Sequence, residues 1–258
     1  MLYVMLSRVC SLEQIFILNE FDESKMYPNL KALAELRRLE EISLNNNTSE
    51  WEKEDELELK ISSLNCRSLK KHHDDIKTDM NLVNSDIICL QETWLEDSEI
   101  IDDLEIPGFD LHLNSKGKGK GIAIYFKSQH FQHQWDIKED QMQLSKFNSK
   151  KLAIVVLYKS QQESQAKLNQ AIEMMTKYDK TVLVIGDFNF CYLENSSNLT
   201  NKYMKERQFK QLIKEPTHIE GNMLDHAHLR DVTGKLEAIT DVQGKYYTDH
   251  KSLNIIIR

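Results

Sequence analysis

Beyond residue 58, short apolar runs alternate with longer segments in which apolar residues recur at helical spacing. The short runs predict strands at Leu59–Leu64, Asp86–Leu90, Leu111–Leu113, Gly121–Phe126, Leu152–Tyr158, Thr181–Ile185, a short stretch near Leu224, Leu236–Val242 and Ser252–Ile257. The longer segments predict helices over Leu69–Val83 and Gln165–Tyr178, the second with Leu168, Ile172, Met175 and Tyr178 on one face. A further helix-like segment carries the basic residues Lys202, Lys205, Arg207, Lys210 and Lys214.

The predicted elements include many strands and few crossover helices. This ratio indicates an α/β fold of two packed β-sheets flanked by helices, a four-layer sandwich, rather than a single doubly wound sheet. We expect the stretch between Gly121 and Leu152 to lack a full complement of strands.

Composition places the chain among globular proteins. Its 258 residues, 40% of them hydrophobic, suffice for one large domain or two small ones and exclude disordered and fibrous classes. No apolar run is long enough for a membrane span, and Arg8 and Glu13 interrupt the apolar opening segment where a signal peptide needs a clean stretch. We therefore expect a protein without a membrane association that is nuclear or cytoplasmic and not secreted. The four cysteines have no CxxC spacing and are predicted to be reduced thiols.

Charge is distributed unevenly between the first quarter of the chain and the rest. Of the net charge of −8, residues 1–59 contribute −7 and the remainder −1. The asymmetry indicates two segments of different origin, separated by the polar and acidic stretch 45–58. The predicted organisation is a segment at 1–44, a linker at 45–58 and a domain at 59–258.

One strand end carries the strongest chemical signal. The buried run through Ile185 stops at Gly186, Asp187, Phe188 and Asn189. Because side chains alternate along a strand, the carboxylate and the carboxamide are expected on the same side of it. Such a pair can orient a water molecule and hold a phosphate oxygen, as phosphodiester cleavage requires. A plain turn is the alternative, since Gly, Asp and Asn all favour turns.

Three other strand ends also carry polar residues. Asn65 ends the first strand, Glu92 follows the second, and Asp249 and His250 precede the last. Each alone has an ordinary reading as a turn residue, a helix cap or a surface pair. Together they match what a metal-dependent hydrolase needs, because a divalent ion that prefers oxygen takes one or two carboxylates and leaves the remaining positions to water and phosphate.

Six short polar blocks follow one another along the chain: Asn65, Gln91-Glu92-Thr93, Tyr158, Gly186-Asp187-Phe188-Asn189, Leu224-Asp225-His226 and Thr248-Asp249-His250. In this order they resemble the blocks of the endonuclease/exonuclease/phosphatase superfamily, in particular those of the apurinic-type endonucleases of mobile elements. The resemblance covers about residues 57–258. It implies a DNase I-like fold of two mixed sheets with helices on the outer faces, and a magnesium-dependent phosphodiesterase that cleaves DNA.

The resemblance also implies roles for single residues. Glu92 and Asp249 are expected to bind Mg²⁺, with Mn²⁺ as an alternative, and Asn65 to support the metal shell by hydrogen bonding. Asp187 is expected to orient or deprotonate the attacking water, which Asn189 also holds.

The remaining implied roles concern the phosphate. His250, steadied by Asp225 through its other ring nitrogen, is expected to stabilise charge on the phosphoryl oxygens. Tyr158 is expected to contact the phosphate or the leaving oxygen. Lys118 and Lys120, in a lysine- and glycine-rich stretch, are candidate contacts to the DNA backbone, with a solvated charge run as the alternative.

Two features depart from a plain repair endonuclease. Arg67 stands two residues after Asn65, where the apurinic repair branch has an acidic residue, so repair-type specificity is not expected. Residues 1–44 resemble the C-terminal end of Pif-family DNA helicases, whose phosphate-contacting arginine matches Arg8. A helicase end followed by such a nuclease is the layout of Helentron-type transposons, and an unrelated amphipathic segment is the alternative.

Three functions of different classes stay open at this stage. The favoured one is a magnesium-dependent DNA endonuclease derived from a transposable element, with DNA as its partner and no obligate protein partner evident. The others are a phosphatase or phosphodiesterase of the same fold acting on a lipid, nucleotide or RNA, and an inactive element remnant.

Overall fold

The computed structural model describes residues 58–96, 102–193 and 198–258. The predicted helicase-like segment 1–44 and nearly all of the linker 45–58 lie outside these residues. The strands are β1 Leu59–Asn65, β2 Ile87–Gln91, β3 Asp110–Asn114, β4 Ile122–Phe126, β5 Gln132–Lys138, β6 Met142–Asn148, β7 Ala153–Lys159, β8 Thr181–Asp187, β9 Lys210–Gln211, β10 Asp225–Asp231, β11 Ala238–Gly244 and β12 Lys251–Ile257. The α-helices are α1 Leu69–Thr78, α2 Met80–Val83, α3 Gln165–Thr176 and α4 Leu199–Glu206, with a 3₁₀ turn at Asp102–Leu104. None of the helices described is long and apolar enough to cross a membrane.

The strands form two six-stranded mixed sheets. The first has the order β11-β12-β1-β2-β4-β3 and the second β5-β6-β7-β8-β10-β9. Each sheet contains one parallel pair, β1 with β2 and β7 with β8, and the other pairings are antiparallel. The two central parallel pairs bring the carboxyl ends of their strands to adjoining edges, which is where polar residues end the strands in the sequence.

Three apolar clusters hold the layers together. One fills the space between the sheets, with fully buried Ile61, Ile154 and Ile185 among its members. A second packs α3 against the outer face of the second sheet, and a third packs α1 against the outer face of the first. The predicted four-layer sandwich of two mixed sheets with outer helices is therefore confirmed.

The stretch between Gly121 and Leu152 corrects the sequence prediction, because it holds two complete strands, β5 and β6, in addition to β4. The hydrophobic pattern missed β5 because it is a sheet-edge strand with mostly polar, exposed residues. It missed β6 because Gln143 and Ser145 are fully buried among its apolar residues.

Helix boundaries also differ from the prediction. The segment Leu69–Val83 forms two helices that meet at Asp79, whose extended backbone (φ −75°, ψ 101°) interrupts the helix and whose side chain caps α2 at Asn81 N. The next helix ends at Thr176, so Tyr178, which was predicted on its apolar face, is almost fully exposed. The helix-like basic segment Lys202–Lys214 is wrong in its second half, where α4 has ended and β9 begins.

Candidate active site

Asn65 joins the two sheets at the carboxyl ends of their central strands. It ends β1, while Glu92 directly follows β2 in the same sheet and Asp187 ends β8 in the other. The fully buried Asn65 amide donates from Nδ2 to Glu92 Oε1 at 3.0 Å and to Asp187 Oδ2 at 2.9 Å. One carboxamide thus holds a carboxylate from each sheet, and the three predicted residues lie together.

Gly186 sets the path of the chain into Asp187. Its φ is +142°, and a Cβ atom there would lie only 1.9 Å from the Leu157 carbonyl oxygen of the neighbouring strand. No side chain fits that approach, so glycine is required for β8 to lie this close to β7 at its end.

Asn189 folds back onto Asp187. Its φ of +51° lets its backbone N–H donate to Asp187 Oδ1 at 2.8 Å and its Nδ2 donate to Oδ2 at 3.1 Å. Burial, and next the charge of Asp225, raise the pKa of Asp187 to about 7, against the opposing effects of His250, Asn189 and Asn65. Asp187 is therefore placed to exchange a proton near neutral pH.

His250 and Asp225 form a buried pair beside Asp187. The distance from His250 Nδ1 to Asp225 Oδ2 is 2.8 Å, and both residues are at most 6% exposed. Thr217 fixes the turn before β10, because its hydroxyl accepts from the backbone N–H of Asp225 at 3.0 Å. Burial alone lowers the pKa of His250, but the charge and hydrogen bond of Asp225 outweigh it and raise this pKa to about 9. The imidazole is therefore cationic at neutral pH, with Nε2 as the nitrogen that Asp225 does not occupy.

Asp249 is held by an arginine and a histidine that were not predicted from the sequence as its partners. Its Oδ2 pairs with the Arg67 guanidinium and lies 3.4 Å from His218 Nε2. Burial raises the pKa of Asp249, but the charges of Arg67, His250 and His218 outweigh this effect and lower it below its ordinary value. Its other oxygen, Oδ1, is buried and has no hydrogen-bond partner in the structure.

Glu92 sits on a strained backbone. Its φ is +50°, its Oε1 accepts from Asn65, and its Oε2 accepts from the indole Nε1 of Trp94 at 3.3 Å. Within the described residues, all non-glycine positions with positive φ except Gln208 follow β1, β2 or β8: Arg67, Ser68, Glu92, Trp94 and Asn189. Left-handed backbone outside glycine is costly and concentrates at functional sites, so this clustering marks the same edge.

The residues present fit a divalent cation. Glu92 supplies an ionisable carboxylate, and Asp249 supplies a buried oxygen without a protein partner, which is the donor chemistry that Mg²⁺ prefers. Asn65 connects the two, because it holds Glu92 through its side chain, while its backbone carbonyl accepts from the hydroxyl of Thr248, the residue before Asp249.

Tyr158 and the predicted DNA-contacting lysines differ in how close they lie to this centre. Tyr158 is the penultimate residue of β7 and pairs with Asp187, but its hydroxyl donates to the Gly119 carbonyl at 2.8 Å. Lys118 is exposed and its Nζ lies 6.0 Å from the Trp94 ring, next to Glu92. Lys120 pairs with Asp140 at 3.2 Å. Tyr158 therefore contacts the lysine- and glycine-rich stretch, and of the two lysines it is Lys118 that lies near the ring of Trp94, the residue that donates to Glu92.

The sequence indicated neither His218 nor the hydrogen bond from Trp94 to Glu92. His218 reaches the site because its backbone forms an isolated antiparallel bridge with that of His250, a residue distant in sequence. Only Trp94 could have been linked to the site from the sequence, since it stands two residues after Glu92. Nothing in the sequence indicates that Arg67 pairs with Asp249, because 182 residues separate the two.

Comparisons with known proteins agree with this architecture. The profile of the Endonuclease/Exonuclease/phosphatase family matches residues 62–243. An AP endonuclease from Archaeoglobus fulgidus is 15% identical, with a TM-score of 0.60 over 76% of this chain and 98% of its own. The endonuclease domain of TRAS1, a telomere-specific non-LTR retrotransposon, is 12% identical, with a TM-score of 0.58 over 78% of this chain and 99% of its own.

A 3′ phosphatase from Neisseria, solved bound to a product DNA hairpin, is 14% identical, with a TM-score of 0.59 over 76% of this chain and 98% of its own. No curated protein matches the sequence. At these identities the solved structures establish only the fold, and the match to the family profile establishes the family.

Proposed function

This chain belongs to the endonuclease/exonuclease/phosphatase family, and we propose that it is a magnesium-dependent endonuclease that cleaves DNA and derives from a transposable element. Family membership by itself makes it a hydrolase of phosphoester bonds. The main support for a metal-dependent hydrolytic centre is the Asn65 amide, which joins Glu92 of one sheet to Asp187 of the other.

Asp187 and Asn189 are proposed to handle the attacking water. The Asp187 carboxylate is fixed by two hydrogen bonds from Asn189 and one from Asn65, so it cannot turn away. Its pKa near 7 suits a group that accepts a proton from water at neutral pH. Asn189, held beside it, positions the water or a phosphate oxygen.

His250 is proposed to neutralise charge on the phosphate. Asp225 occupies Nδ1 and keeps the ring protonated, so Nε2–H is the donor left for a phosphoryl oxygen. Both groups are buried and held before substrate arrives, which is the arrangement that stabilises a transition state without reorganisation.

Glu92 and Asp249 are proposed to hold Mg²⁺, which when bound supplies Lewis-acid stabilisation of the phosphate oxygens. Mn²⁺ suits the same oxygen donors. Arg67 and His218 engage Asp249 Oδ2 and leave Oδ1 for the ion.

DNA is proposed as the substrate on three supports. An AP endonuclease, a retrotransposon endonuclease and a DNA-bound 3′ phosphatase share the fold. Lys118 and the cationic Arg67 lie at the rim of the site, where a polyanionic backbone can reach them. The helicase-like sequence of residues 1–44 supports a mobile-element origin.

A substrate panel tests the proposal. Purified full chain is incubated with Mg²⁺ and supercoiled plasmid, single-stranded RNA, a 3′-phosphorylated oligonucleotide and a soluble phosphoinositide, with Asp187→Asn as the matched control. We expect nicking of the plasmid by the wild type and a large loss in the variant. If RNA or a phosphomonoester is turned over while the plasmid stays intact, that compound and not DNA is the substrate. If none of them is turned over with Mg²⁺, the protein is an inactive remnant.

A further inference from the structure

A cluster of two histidines and one aspartate lies where the edges of the two sheets meet. His112 is on β3, the outermost strand of the first sheet, and His133 and Asp136 are on β5, the outermost strand of the second. His112 Nε2 lies 3.0 Å from Asp136 Oδ2, and His133 Nε2 lies 3.1 Å from Asp136 Oδ1. Nothing in the proposed hydrolysis uses these residues.

A strand irregularity brings His133 and Asp136 to one face. Residues three apart on a regular strand point to opposite faces, because side chains alternate. Between β5 and β6 the register shifts, so that His133 pairs with Phe147 and Trp135 with Lys146, leaving Gln134 as an inserted residue. The insertion restores His133 and Asp136 to the same side, toward His112.

The two rings are supported from beneath. They stack at a centroid distance of 3.9 Å, and each meets the edge of the fully buried Phe147, at 5.6 Å for His112 and 5.2 Å for His133. Beside them, Asn114 on the same face of β3 donates to the Ile137 carbonyl of β5 at 3.1 Å, which fixes the spacing of the two edges. The donor atoms are therefore preorganised by rigid elements.

We propose that His112, His133 and Asp136 form a metal site for Zn²⁺ or a similar divalent transition metal that clamps the edges of the two sheets together. Two imidazoles and one carboxylate are a donor set that suits zinc and are a poor match for Mg²⁺, which prefers oxygen alone. All three ligand atoms lie within 4.8 Å of one another. The side chains are 20%, 31% and 28% exposed, so the ion can enter from solvent and keep water in its remaining positions.

The Asp136 carboxylate already draws both rings toward one point, since its two oxygens accept hydrogen bonds from His112 Nε2 and His133 Nε2. A bound cation would replace these two hydrogen bonds.

Zinc binding to the full chain, stripped with EDTA and returned to chelator-free buffer, tests the proposal. Equilibrium dialysis with metal analysis gives the stoichiometry for wild type, His112→Gln and Asp136→Asn, with His130→Gln as the matched control just before β5. The histidine group at Asp249 also offers zinc donors, so Asp249→Asn is measured alongside. We expect His112→Gln and Asp136→Asn each to lower the affinity for one bound zinc ion by about tenfold or more. His130→Gln and Asp249→Asn should leave that affinity unchanged.

Two further readouts locate the ion. Zinc at about 100 times its Kd is expected to raise the Tm of wild type by about 5 °C or more and that of His112→Gln by less. Zinc should also slow amide hydrogen exchange in peptides covering β3 and β5 of wild type, whereas Mg²⁺ should not. Far-UV circular dichroism and Tm in EDTA verify that each variant is folded. Mg²⁺-dependent turnover of His112→Gln is expected to stay within about twofold of wild type, because the proposed hydrolysis does not use His112. Equal zinc affinity in wild type and folded His112→Gln, or unchanged exchange in β3 and β5, would overturn the proposal.

Discussion

Two buried histidines on either side of Asp225, His226 in β10 and His250 just before β12, differ in charge state. His226 is fully buried among Phe188, Phe190 and other aromatic rings, and its Nε2 lies 3.1 Å from each of the Phe190 and Met223 carbonyls. Burial lowers the pKa of His226 to about 4, despite the smaller opposing effects of its neighbours. His250, almost as buried, faces the Asp225 carboxylate, and its pKa is raised to about 9.

The difference lies in the partner and not in burial. Carbonyl oxygens accept a hydrogen bond from neutral imidazole and leave the cost of burying a charge in place, whereas a carboxylate at 2.8 Å offsets that cost. The His226 region therefore works as core, and the His250 region holds a charge ready for an anion. The His250, His226 and Asp225 variants below each change one side of this contrast, and the Trp94 variant changes a neutral partner of a charged group in the same site.

The largest expected effect is on turnover in His250→Gln. Removing the buried cation eliminates its stabilisation of the phosphate, so we expect kcat to fall by about 10²- to 10⁴-fold. The matched variant is His226→Phe, which changes the aromatic cluster and should keep kcat within a few fold once folded. Steady-state kinetics with Mg²⁺ and plasmid DNA measure both, and equal losses in the two variants would remove the contrast.

The next effect is on stability against acid. Because the pKa of His226 is lower in the folded state than the unfolded value of about 6.5, protonation favours unfolding. Its contribution is fully present above pH 6.5 and is lost as the pH falls toward 4, by up to about 3 kcal/mol. Urea unfolding of metal-free wild type and His226→Phe measures this, and we expect the wild type to lose more stability over that range. Parallel curves for the two proteins would contradict the assigned charge state.

Asp225→Asn should convert the surroundings of His250 into those of His226. Without the carboxylate, burial dominates, and we expect the pKa of His250 to fall by about 2 units or more. NMR titration of the imidazole in metal-free protein measures the shift, with Asp231→Asn on the far end of β10 as a control that leaves it unchanged. A pKa that stays near 9 would show that Asp225 is not its cause.

The smallest effect is expected for Trp94→Phe. The indole donates to Glu92 Oε2, and its loss removes one hydrogen bond to a charged group, worth about 1.5–3 kcal/mol at most when fully buried and less at this half-buried position. We expect a rise of severalfold in the Mg²⁺ concentration that gives half-maximal activity, with little change in kcat. A Mg²⁺ titration of activity checks this, and an unchanged titration curve would limit Trp94 to packing.

The sequence predicted the strands that are apolar along their whole length and the polar residues at their ends. It failed where polar residues build the sheet, as in β5 and β6, and in β10, where a run of seven residues rich in histidine and charge was read only as a short strand near Leu224. Hydrophobic periodicity carries no signal for a buried polar strand, because the pairing partners that stabilise it are remote.

The same limit applies to the candidate site. Blocks at strand ends indicated Asn65, Glu92, Asp187 and His250, but the contacts among them depend on which strand ends adjoin. The Asn65 bridge spans 122 residues to Asp187, and no local pattern encodes it. The pairing of Arg67 with Asp249 depends in the same way on tertiary structure.

Glu92, Asp187 and a divalent ion are proposed to act as one centre on a phosphodiester. The Mg²⁺ dependence of single-turnover cleavage of a labelled DNA duplex by wild type, Glu92→Gln and Asp187→Asn tests this arrangement. We expect no cleavage in EDTA, a Mg²⁺ half-saturation raised about tenfold or more in Glu92→Gln, and a rate lowered by about 10² or more at every Mg²⁺ concentration in Asp187→Asn. Cleavage that persists in EDTA, or a Glu92→Gln curve that overlays the wild type, would contradict it.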